Sequence, residues 1–295
     1  MIIVPNPPAP GTTEWQRLIT ASKMAGILGV SPWASPRSVW LDMTQGREPE
    51  PATAPMLRGT FLEDGMLDWF EHDHPELDSL GRQTAVTQED MPWALATLDG
   101  RYYHLAEGQE IIVEVKTASR LDDWQGEDGG LVVPAYYEAQ VRFQLALASE
   151  AHHAILVLLT PFLEKVELVI ERDDELDGAV LEAAWQWHHD LEAGIVPELD
   201  DSVATYEAVR REHPDIDPDA EVELDHNIAY EWLEARADLK HIEARERGAK
   251  TALLDAMGNA KTATYSGRKI ATRTPGARGS VTLRAAAKLT DIDPF

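Results

Sequence analysis

The sequence predicts a mixed α/β fold, in which a mixed central sheet is flanked by helices and followed by a C-terminal extension of one long helix and a β-hairpin. Amphipathic helical patterns stand on either side of a block of strand-like segments in the first half of the chain. The apolar run 154–160 fits a strand that is buried on both faces. A helical pattern over 226–257, followed by a hairpin-like segment, predicts the extension.

The segment before the strands is predicted to be helical. Residues 12–29 have an apolar stripe with helical spacing that stops at Gly29. A turn at Ser31-Pro32-Trp33 follows, and a short helix begins at Pro36. Residues 56–73 predict a second amphipathic helix. Because indole rings usually contribute apolar area to a core, we expect Trp33 to pack inside rather than to stack on a base.

The block of strands starts after Pro75. Strands are predicted at 81–88, 93–98, 101–105 and 110–117. The Asp-Gly pair at 99–100 lies between two apolar runs and predicts a hairpin turn. The remaining elements follow in order: a helix from Pro134 to about 148, strands at 154–160 and 165–171, and a helix at 174–193.

Charge divides the chain into three predicted parts. The whole chain has a net charge of −26, yet residues 221–295 hold 12 basic and 11 acidic residues. The first 220 residues hold 14 basic and 41 acidic residues. We therefore predict a core over 1–200, an acidic linker over 201–224 and an extension over 225–295.

The extension contains the main basic stretch, because residues 261–290 have seven basic residues and no acidic one. A basic segment in an acidic protein is a candidate contact for DNA or for a protein partner. An ordinary solvated hairpin is the alternative explanation. The residues that we assign to this contact are Lys261, Arg268, Lys269 and Arg273.

Composition excludes several classes of protein. The chain has no cysteine, which excludes disulfides, thiolate zinc sites and iron–sulfur ligation and fits a reducing cytoplasm. No apolar run reaches the roughly 18 residues of a membrane-spanning helix. The N-terminus lacks the basic and apolar regions of a signal peptide. We expect a cytoplasmic protein without membrane association.

The segment 111–116, Ile-Ile-Val-Glu-Val-Lys, carries the most informative charges. Side chains alternate along a strand, so Ile112, Glu114 and Lys116 share one face, and three aliphatic side chains occupy the other. A buried Glu and Lys are costly without partners, which points to a site. An edge strand with a solvated ion pair is the bland alternative.

A second carboxylate strengthens the site interpretation. Asp99 follows the apolar run Leu95-Ala96-Thr97-Leu98, and two strands that fold back on each other can bring it beside Glu114. Clustered carboxylates form an oxygen site that suits Mg²⁺, for which Mn²⁺ is an expected substitute. Such a cation can bind a phosphate oxygen and activate water, while Lys116 orients that water or stabilises charge on the phosphate. A turn aspartate is the alternative for Asp99 alone.

These residues resemble a known superfamily. Asp99 followed at a distance by Glu114-x-Lys116 is similar to the PD-(D/E)xK nuclease signature, with Leu98 in place of its proline. Three further motifs resemble one branch, the YqaJ-like viral recombinase and lambda exonuclease family, and this resemblance covers roughly residues 13–195. The first motif runs from Trp15 to Trp33 and includes Ile19-Thr20-Ala21-Ser22. The second is Arg58-Gly59-Thr60-x-Leu62-Glu63. The third is Pro134-x-Tyr136-Tyr137-x-x-Gln140-Val141-x-x-Gln144-Leu145.

The resemblance implies roles for individual residues. Asp99, Glu114, Glu63 and the Val115 carbonyl would hold the metal, and Lys116 would act on the attacking water. Gln140 would orient water or substrate, with Gln144 one turn later as its rival. Arg17 and Ser22 would form a pocket for a 5′-phosphate, and Arg37 would contact phosphate as well.

The resemblance also implies a restriction-endonuclease-like core and a Mg²⁺-dependent DNA exonuclease. The implied enzyme acts 5′→3′ on linear duplex ends and leaves 3′ single strands for phage-type recombination. It also implies a homo-oligomeric ring, a trimer or tetramer, and a single-strand annealing protein as partner. The alternatives are another PD-(D/E)xK endonuclease or a resolvase, and a DNA-binding or assembly module without catalysis.

Overall fold

The computed structural model describes residues 1–48, 51–276 and 280–286. It divides into two compact units, Met1–Ile216 and Asp217–Phe295. The first unit contains the predicted core strands and helices, and the second contains the long helix and the hairpin. The predicted fold class, a mixed central sheet flanked by helices with a helix-and-hairpin extension, is confirmed.

The first unit is built around a seven-stranded mixed sheet in the described residues. Its strand order is β1-β3-β4-β5-β6-β7, and β2 pairs in parallel with the beginning of β4. Strands β5 and β6 are parallel, and the other neighbours along this order are antiparallel. The strands are β1 Ile2–Ile3, β2 Ile19–Thr20, β3 Leu77–Thr87, β4 Ala94–His104, β5 Gln109–Thr117, β6 Ala151–Leu159 and β7 Lys165–Glu171.

Helices cover both faces of this sheet. They are α1 Thr13–Arg17, α2 Met24–Ile27, α3 Pro36–Gln45, α4 Ala54–Asp73, α5 Ala135–Leu147, α6 Asp174–Ala193 and α7 Val203–Glu212. Helix α4 packs on one face through Met66, Leu67 and Phe70. Helices α2, α5 and α6 pack on the other face, where Val141 and Phe143 are completely buried. The alternating side chains of β6 belong to two separate apolar clusters, so the predicted doubly buried strand is confirmed.

Strands β4 and β5 separate partway along their length. Their ladder runs from His104↔Gln109 to Gly100↔Val113 and then stops. Beyond that point β5 stays paired with β6 as far as Thr117. The start of β4 instead takes β2 as its neighbour on this edge. An opening between two buried strands results. The backbone N–H and C=O groups that border it need hydrogen-bond partners from outside the β4–β5 ladder.

The predicted hairpin turn at Asp99-Gly100 is wrong. Strand β4 passes straight through both residues, and the turn to β5 lies at 105–108. Gly100 is required for close packing, because a Cβ there would lie 2.6 Å from a ring carbon of Tyr102. The completely buried Tyr102 ring therefore folds over the backbone of its own strand.

The predicted helix over 12–29 is interrupted, and this prediction is also wrong. Helix α1 ends at Arg17, and the β-branched residues Ile19 and Thr20 are buried beside β4 as β2. The ammonium group of Lys23 donates to the carbonyls of Trp15 (3.2 Å), Gln16 (2.6 Å) and Leu18 (2.6 Å). The lysine thereby satisfies the end of α1, which sequence periodicity does not reveal.

Part of the predicted linker 201–224 is folded onto the first unit. Helix α7 lies within it, and the hydroxyls of Ser35 and Thr205 are 2.6 Å apart. Both side chains are buried. The boundary between the two compact units falls after Ile216. Residues 201–224 are rich in acidic residues and proline, so their pattern did not indicate this helix, which packs against α3.

The second unit has one long helix, α8 His226–Met257. A three-stranded antiparallel sheet follows, made of β8 Thr262–Tyr265, β9 Arg268–Pro275 and β10 Val281–Ala285. Two basic residues of the predicted stretch, Arg278 and Lys288, lie outside the described residues. Across the residues that the structure describes, no helix is long and apolar enough to cross a membrane.

Candidate active site

The opening between β4 and β5 holds the predicted carboxylates. Asp99 lies where the ladder stops, and its Oδ2 accepts a hydrogen bond of 2.8 Å from the Val115 N–H. The side chain thus replaces the strand that has diverged, which is why a polar residue fits inside an apolar strand. As the sequence predicted, Ile112 faces one apolar cluster, and Ile111, Val113 and Val115 face the other.

Glu114 is the centre of the site. Only 3% of it is exposed, and both of its carboxylate oxygens are engaged. Oε1 accepts hydrogen bonds from Lys116 Nζ and from Gln140 Nε2, the latter at 2.5 Å. Oε2 accepts from Gln144 Nε2 at 2.6 Å. The carboxylate is therefore held from its own strand and from α5.

The two candidate glutamines, Gln140 and Gln144, differ in their burial. Both amides contact Glu114, but Gln140 is half-buried and Gln144 is completely buried. Gln144 Nε2 also donates to the Thr97 carbonyl at 3.1 Å and so bridges the separated strands. In the described residues, its Oε1 is buried without a hydrogen-bond partner. Gln140 is thus the more accessible of the two amides, and Gln144 is fixed between Glu114 and β4.

Glu63 reaches the same site from α4, through a residue that the sequence did not indicate. Gln83 Nε2 donates to Glu63 Oε1 and, at 3.4 Å, to Asp99 Oδ1. Gln83 lies in β3 with φ of +50°, a left-handed conformation that side chains other than glycine rarely adopt. Backbone strain of this kind concentrates at functional sites. A glutamine in a strand pattern carries no sequence signal for this role.

Burial and mutual repulsion shift the pKa values of the charged groups in the site. Burial, and then the charge of Glu114, raise the pKa of Asp99 well above its usual range. Burial also raises the pKa of Glu63, against the hydrogen bond from Gln83. Burial lowers the pKa of Lys116, but the charges of Glu114 and Asp99 outweigh it and keep the ammonium protonated. The site is a concentration of negative charge with a single lysine in it among the described residues.

Two further side chains, Tyr137 and Arg58, contact the C-terminal end of β5 at Lys116 and Thr117. The Lys116 ammonium lies 5.1 Å from the ring centroid of Tyr137 on α5. Arg58, one turn before Leu62 on α4, donates from Nε to Thr117 Oγ1 at 3.1 Å. Arg58 thus connects α4 to the C-terminal end of β5. The sequence singled it out only as part of a motif.

Two residues predicted for a 5′-phosphate pocket, Ser22 and Arg17, differ in whether they line a cavity. Ser22 lines a cavity of about 430 Å³ together with Lys23, Arg47, Thr53 and Met56, among others. Arg17 is exposed on α1 and is not among the residues that line the cavity. Burial lowers the pKa of Lys23 to about 8, and its three carbonyl contacts occupy its protons.

Arg37 contacts other parts of the first unit, and its predicted phosphate contact stays a prediction. Its Nη1 donates to the Pro197 carbonyl at 3.1 Å, and its Nη2 lies 3.8 Å from Glu212. The guanidinium thus connects α3 to the segment after α6 and to α7. Its charge is used inside the first unit, because Glu212 neutralises it there.

A divalent metal fits the chemistry of this donor set. Hard cations such as Mg²⁺ take oxygen ligands, and a cation relieves the repulsion that raises the pKa of Asp99. In the part of the chain that the structure describes, no three His, Asp or Glu side chains already surround one point as ligands. Instead, each carboxylate accepts a hydrogen bond from within the protein. Asp99 accepts from the Val115 N–H, Glu63 from Gln83 and Glu114 from Lys116.

The four basic residues predicted to contact DNA or a partner belong to the second unit. Arg268, Lys269 and Arg273 are on β9, and Lys261 directly precedes β8. The side chains of Lys261, Arg268 and Lys269 are exposed, and Arg273 is half-buried. They are described as part of that unit alone.

Comparisons with known proteins agree with the sequence motifs. Residues 14–152 match the family model of the YqaJ-like viral recombinase domain. A relative from Bacillus subtilis (strain 168), named "Uncharacterized protein YqaJ", is 28% identical over 221 residues. That alignment covers 72% of this chain and 65% of the relative, so the chain spans less than two thirds of the relative's length. The predicted resemblance to this family is confirmed over residues 14–152.

Solved structures support the fold. An alkaline exonuclease from Laribacter hongkongensis, LHK-Exo, is 19% identical and superposes with a TM-score of 0.50, covering 69% of this chain and 98% of that one. The structure of LHK-Exo in complex with dAMP gives a TM-score of 0.51 at 19% identity, over 68% of this chain and 96% of that one. The likeness at this identity concerns the fold.

Proposed function

We propose that this chain, whose residues 14–152 carry the YqaJ-like viral recombinase domain, is a metal-dependent deoxyribonuclease. The proposed reaction is exonucleolytic, 5′→3′ on linear double-stranded DNA, and leaves 3′ single strands for recombination. The observation that carries the proposal is the contact set of Glu114 with Lys116 and Gln140, beside Asp99 and Glu63. The fold shared with the exonuclease LHK-Exo supports it.

We assign the metal to Asp99, Glu114, Glu63 and the Val115 carbonyl. When bound there, Mg²⁺ supplies positive charge to the phosphate and lowers the pKa of water, and Mn²⁺ is the expected substitute. Glu114 keeps its orientation because Gln140 and Gln144 hold one oxygen each. Such supporting hydrogen bonds fix the direction of ligands and tune their basicity.

The protein's own residues act on the phosphodiester. Lys116 is protonated, and its ammonium group stabilises the negative charge that develops on the phosphate oxygens. It can also orient the attacking water by donating a hydrogen bond. Gln140 is half-exposed beside it and can hold the same water or a phosphate oxygen. The leaving oxygen takes its proton from solvent at the open side of the site.

The preference for DNA ends is assigned to the cavity lined by Ser22. Its wall includes the first turn of α4, the helix that carries Glu63 further along. A terminal 5′-phosphate held there would leave the adjoining phosphodiester near Glu114. Of the residues predicted for this pocket, only Ser22 lines the cavity. The 5′→3′ direction of cleavage is therefore inferred chiefly from the family resemblance. Arg17 stays a weaker candidate because it is exposed on α1.

Digestion of matched linear and closed DNA tests this function. With Mg²⁺, the protein is expected to release mononucleotides from a linear duplex labelled at its 5′ ends and to leave a covalently closed circle intact. The chelator EDTA should stop the release. Cleavage of the circle would instead support an endonuclease or a resolvase. Binding of DNA without release of nucleotides under any divalent metal would indicate a DNA-binding or assembly module.

The proposal includes two assemblies that follow from the family. The first is a homo-oligomeric ring, a trimer or tetramer, around the DNA. The second is a complex with a single-strand annealing protein. An acidic first unit is compatible with a ring, because only the surface that lines the channel must attract phosphate. Mass measurement by light scattering tests the ring, and co-purification with the annealing protein tests the complex.

The basic residues of the second unit are proposed to contact DNA. Replacing Lys261, Arg268, Lys269 and Arg273 together with glutamine should weaken binding of a linear duplex in EDTA. The dependence of log K on log salt should become flatter by about 0.9 for each phosphate that the variant no longer neutralises. The matched control replaces Lys240, Arg245, Arg247 and Lys250 on α8, with the same change in charge. Equal weakening in both variants would contradict a specific role of the hairpin.

A further inference from the structure

A row of neighbouring aromatic side chains extends from the candidate active site to the surface. Tyr137, whose ring lies beside the Lys116 ammonium, contacts the buried ring of Trp124 at 5.4 Å between centroids. The next rings are Tyr136, 4.5 Å from Tyr137, and Trp33, 4.9 Å from Tyr136 and 6.4 Å from Tyr137. Trp33 is the last ring of this row, and it is 67% exposed.

Trp33 is presented by an ordered turn. The Ser31 hydroxyl accepts hydrogen bonds of 3.1 Å from the N–H groups of Trp33 and Ala34. Ser35 then caps α3 by accepting from the Ser38 N–H. The expectation that Trp33 packs in the interior is wrong, because these bonds turn its ring outward. The ring is held edge-on by Tyr136, with an interplanar angle of 76°.

The chemistry of this surface fits an unpaired base. A large aromatic face beside a site for phosphate chemistry can stack on any base, because every base has a π-face. The first 220 residues have 14 basic and 41 acidic residues, so this part of the protein has little general attraction for phosphate. Stacking does not depend on charge and can supply affinity there. Tyr136 supports the Trp33 ring from its edge, and its hydroxyl donates a hydrogen bond of 3.3 Å to Asp123.

We propose that Trp33, held edge-on by Tyr136, forms a stacking platform that binds an unpaired nucleobase of the DNA strand whose phosphate lies at Lys116. This inference rests on the proposed deoxyribonuclease function. It adds a binding site for single-stranded DNA next to the scissile bond. The platform keeps the terminal nucleotides separated from the complementary strand and in line with Glu114 and Lys116.

Two oligonucleotides with equal charge test the platform. The probes are a 12-nucleotide oligodeoxythymidine and an abasic strand of the same length, with binding measured in EDTA. Trp33→Ala should weaken binding of the thymidine strand about tenfold and leave binding of the abasic strand unchanged. Trp33→Phe should retain most of the affinity, and Trp33→Leu, which is apolar without a π-face, should lose it. Equal weakening for both probes would overturn the platform.

A matched tryptophan controls for the fold. Trp185 on α6 is also partly exposed and is held edge-on by Trp93, at 4.8 Å and 76°. Trp185→Ala should bind both probes as the parent does. If the parent degrades linear DNA but Trp33→Ala and Trp33→Leu bind oligodeoxythymidine normally, the platform alone is refuted. If the parent neither binds nor degrades DNA, the proposed function fails and the platform with it.

Discussion

Replacing Lys116 with alanine is expected to lower the single-turnover rate of DNA hydrolysis by at least about a hundredfold, the usual effect of removing one preorganised charge from a transition state. Lys116 is the cation that contacts Glu114, and its ammonium stays protonated because Glu114 and Asp99 outweigh its burial. The rate is measured with saturating Mg²⁺ on a linear duplex. Thermal unfolding of the same variant shows whether the fold persists.

Lys165 provides the control for this variant. It lies on β7, its side chain is only 7% exposed, and it pairs with Asp73 at 2.7 Å and Glu167 at 2.6 Å. Lys165→Ala therefore also removes a buried cation from between two carboxylates. It should lower stability without changing the rate per folded molecule. A rate for Lys116→Ala equal to that of the parent would remove Glu114 and Lys116 as the catalytic centre.

Asp99→Asn is expected to abolish measurable hydrolysis and yet to stabilise the metal-free protein. The variant removes one charge from a buried pair of carboxylates, and an asparagine oxygen can still accept from the Val115 N–H. A gain of about 1 kcal/mol in the free energy of unfolding is a reasonable expectation for relief of strain at an active site. Chemical denaturation in EDTA measures it.

Addition of Mg²⁺ should reverse the order of the two proteins. A ligand that binds only the folded state raises the unfolding free energy by RT ln(1 + [L]/Kd), and this gain requires intact ligands. The parent should gain stability with Mg²⁺, and Asp99→Asn should gain little. Asp64→Asn, an exposed neighbour of Glu63, is the control and should behave as the parent. A variant that loses stability in EDTA would contradict the repulsion at this site.

The pH dependence follows from the same group. Because the pKa of Asp99 is raised in the folded protein, the folded state binds more protons than the unfolded state above the ordinary aspartate range. The unfolding free energy of the metal-free parent should therefore fall as the pH rises from the ordinary pKa of an aspartate to the raised pKa of Asp99. Asp99→Asn should lack this component of the pH dependence.

Local patterns in the sequence predicted the centre of the site. Alternation along β5 is a property of a single strand, so the shared face of Glu114 and Lys116 could be derived without a fold. Asp99 could be paired with Glu114 because neighbouring antiparallel strands bring them together. The family resemblance added Glu63 and Gln140, which come from helices and have no local signal of their own.

The errors arose where distant parts of the chain meet. Asp99-Gly100 has the composition of a turn, but the Tyr102 ring needs the glycine inside a strand. Gln83 contacts Glu63 and Asp99 only because β3 adopts a strained conformation opposite β4. Likewise, the contacts of Arg37 with Pro197 and Glu212 join segments that lie far apart in the sequence. Each depends on tertiary contacts that periodicity does not contain.

Helix α7 sets a limit for dissecting the protein into fragments. A truncation at residue 200, which composition favours, would remove the helix that contacts α3. It would leave the buried Ser35 hydroxyl without Thr205 and the Arg37 guanidinium without Glu212. Groups stripped of partners in this way destabilise the helix that follows the Trp33 turn. A recombinant fragment meant to report on the catalytic unit should therefore extend through residue 216.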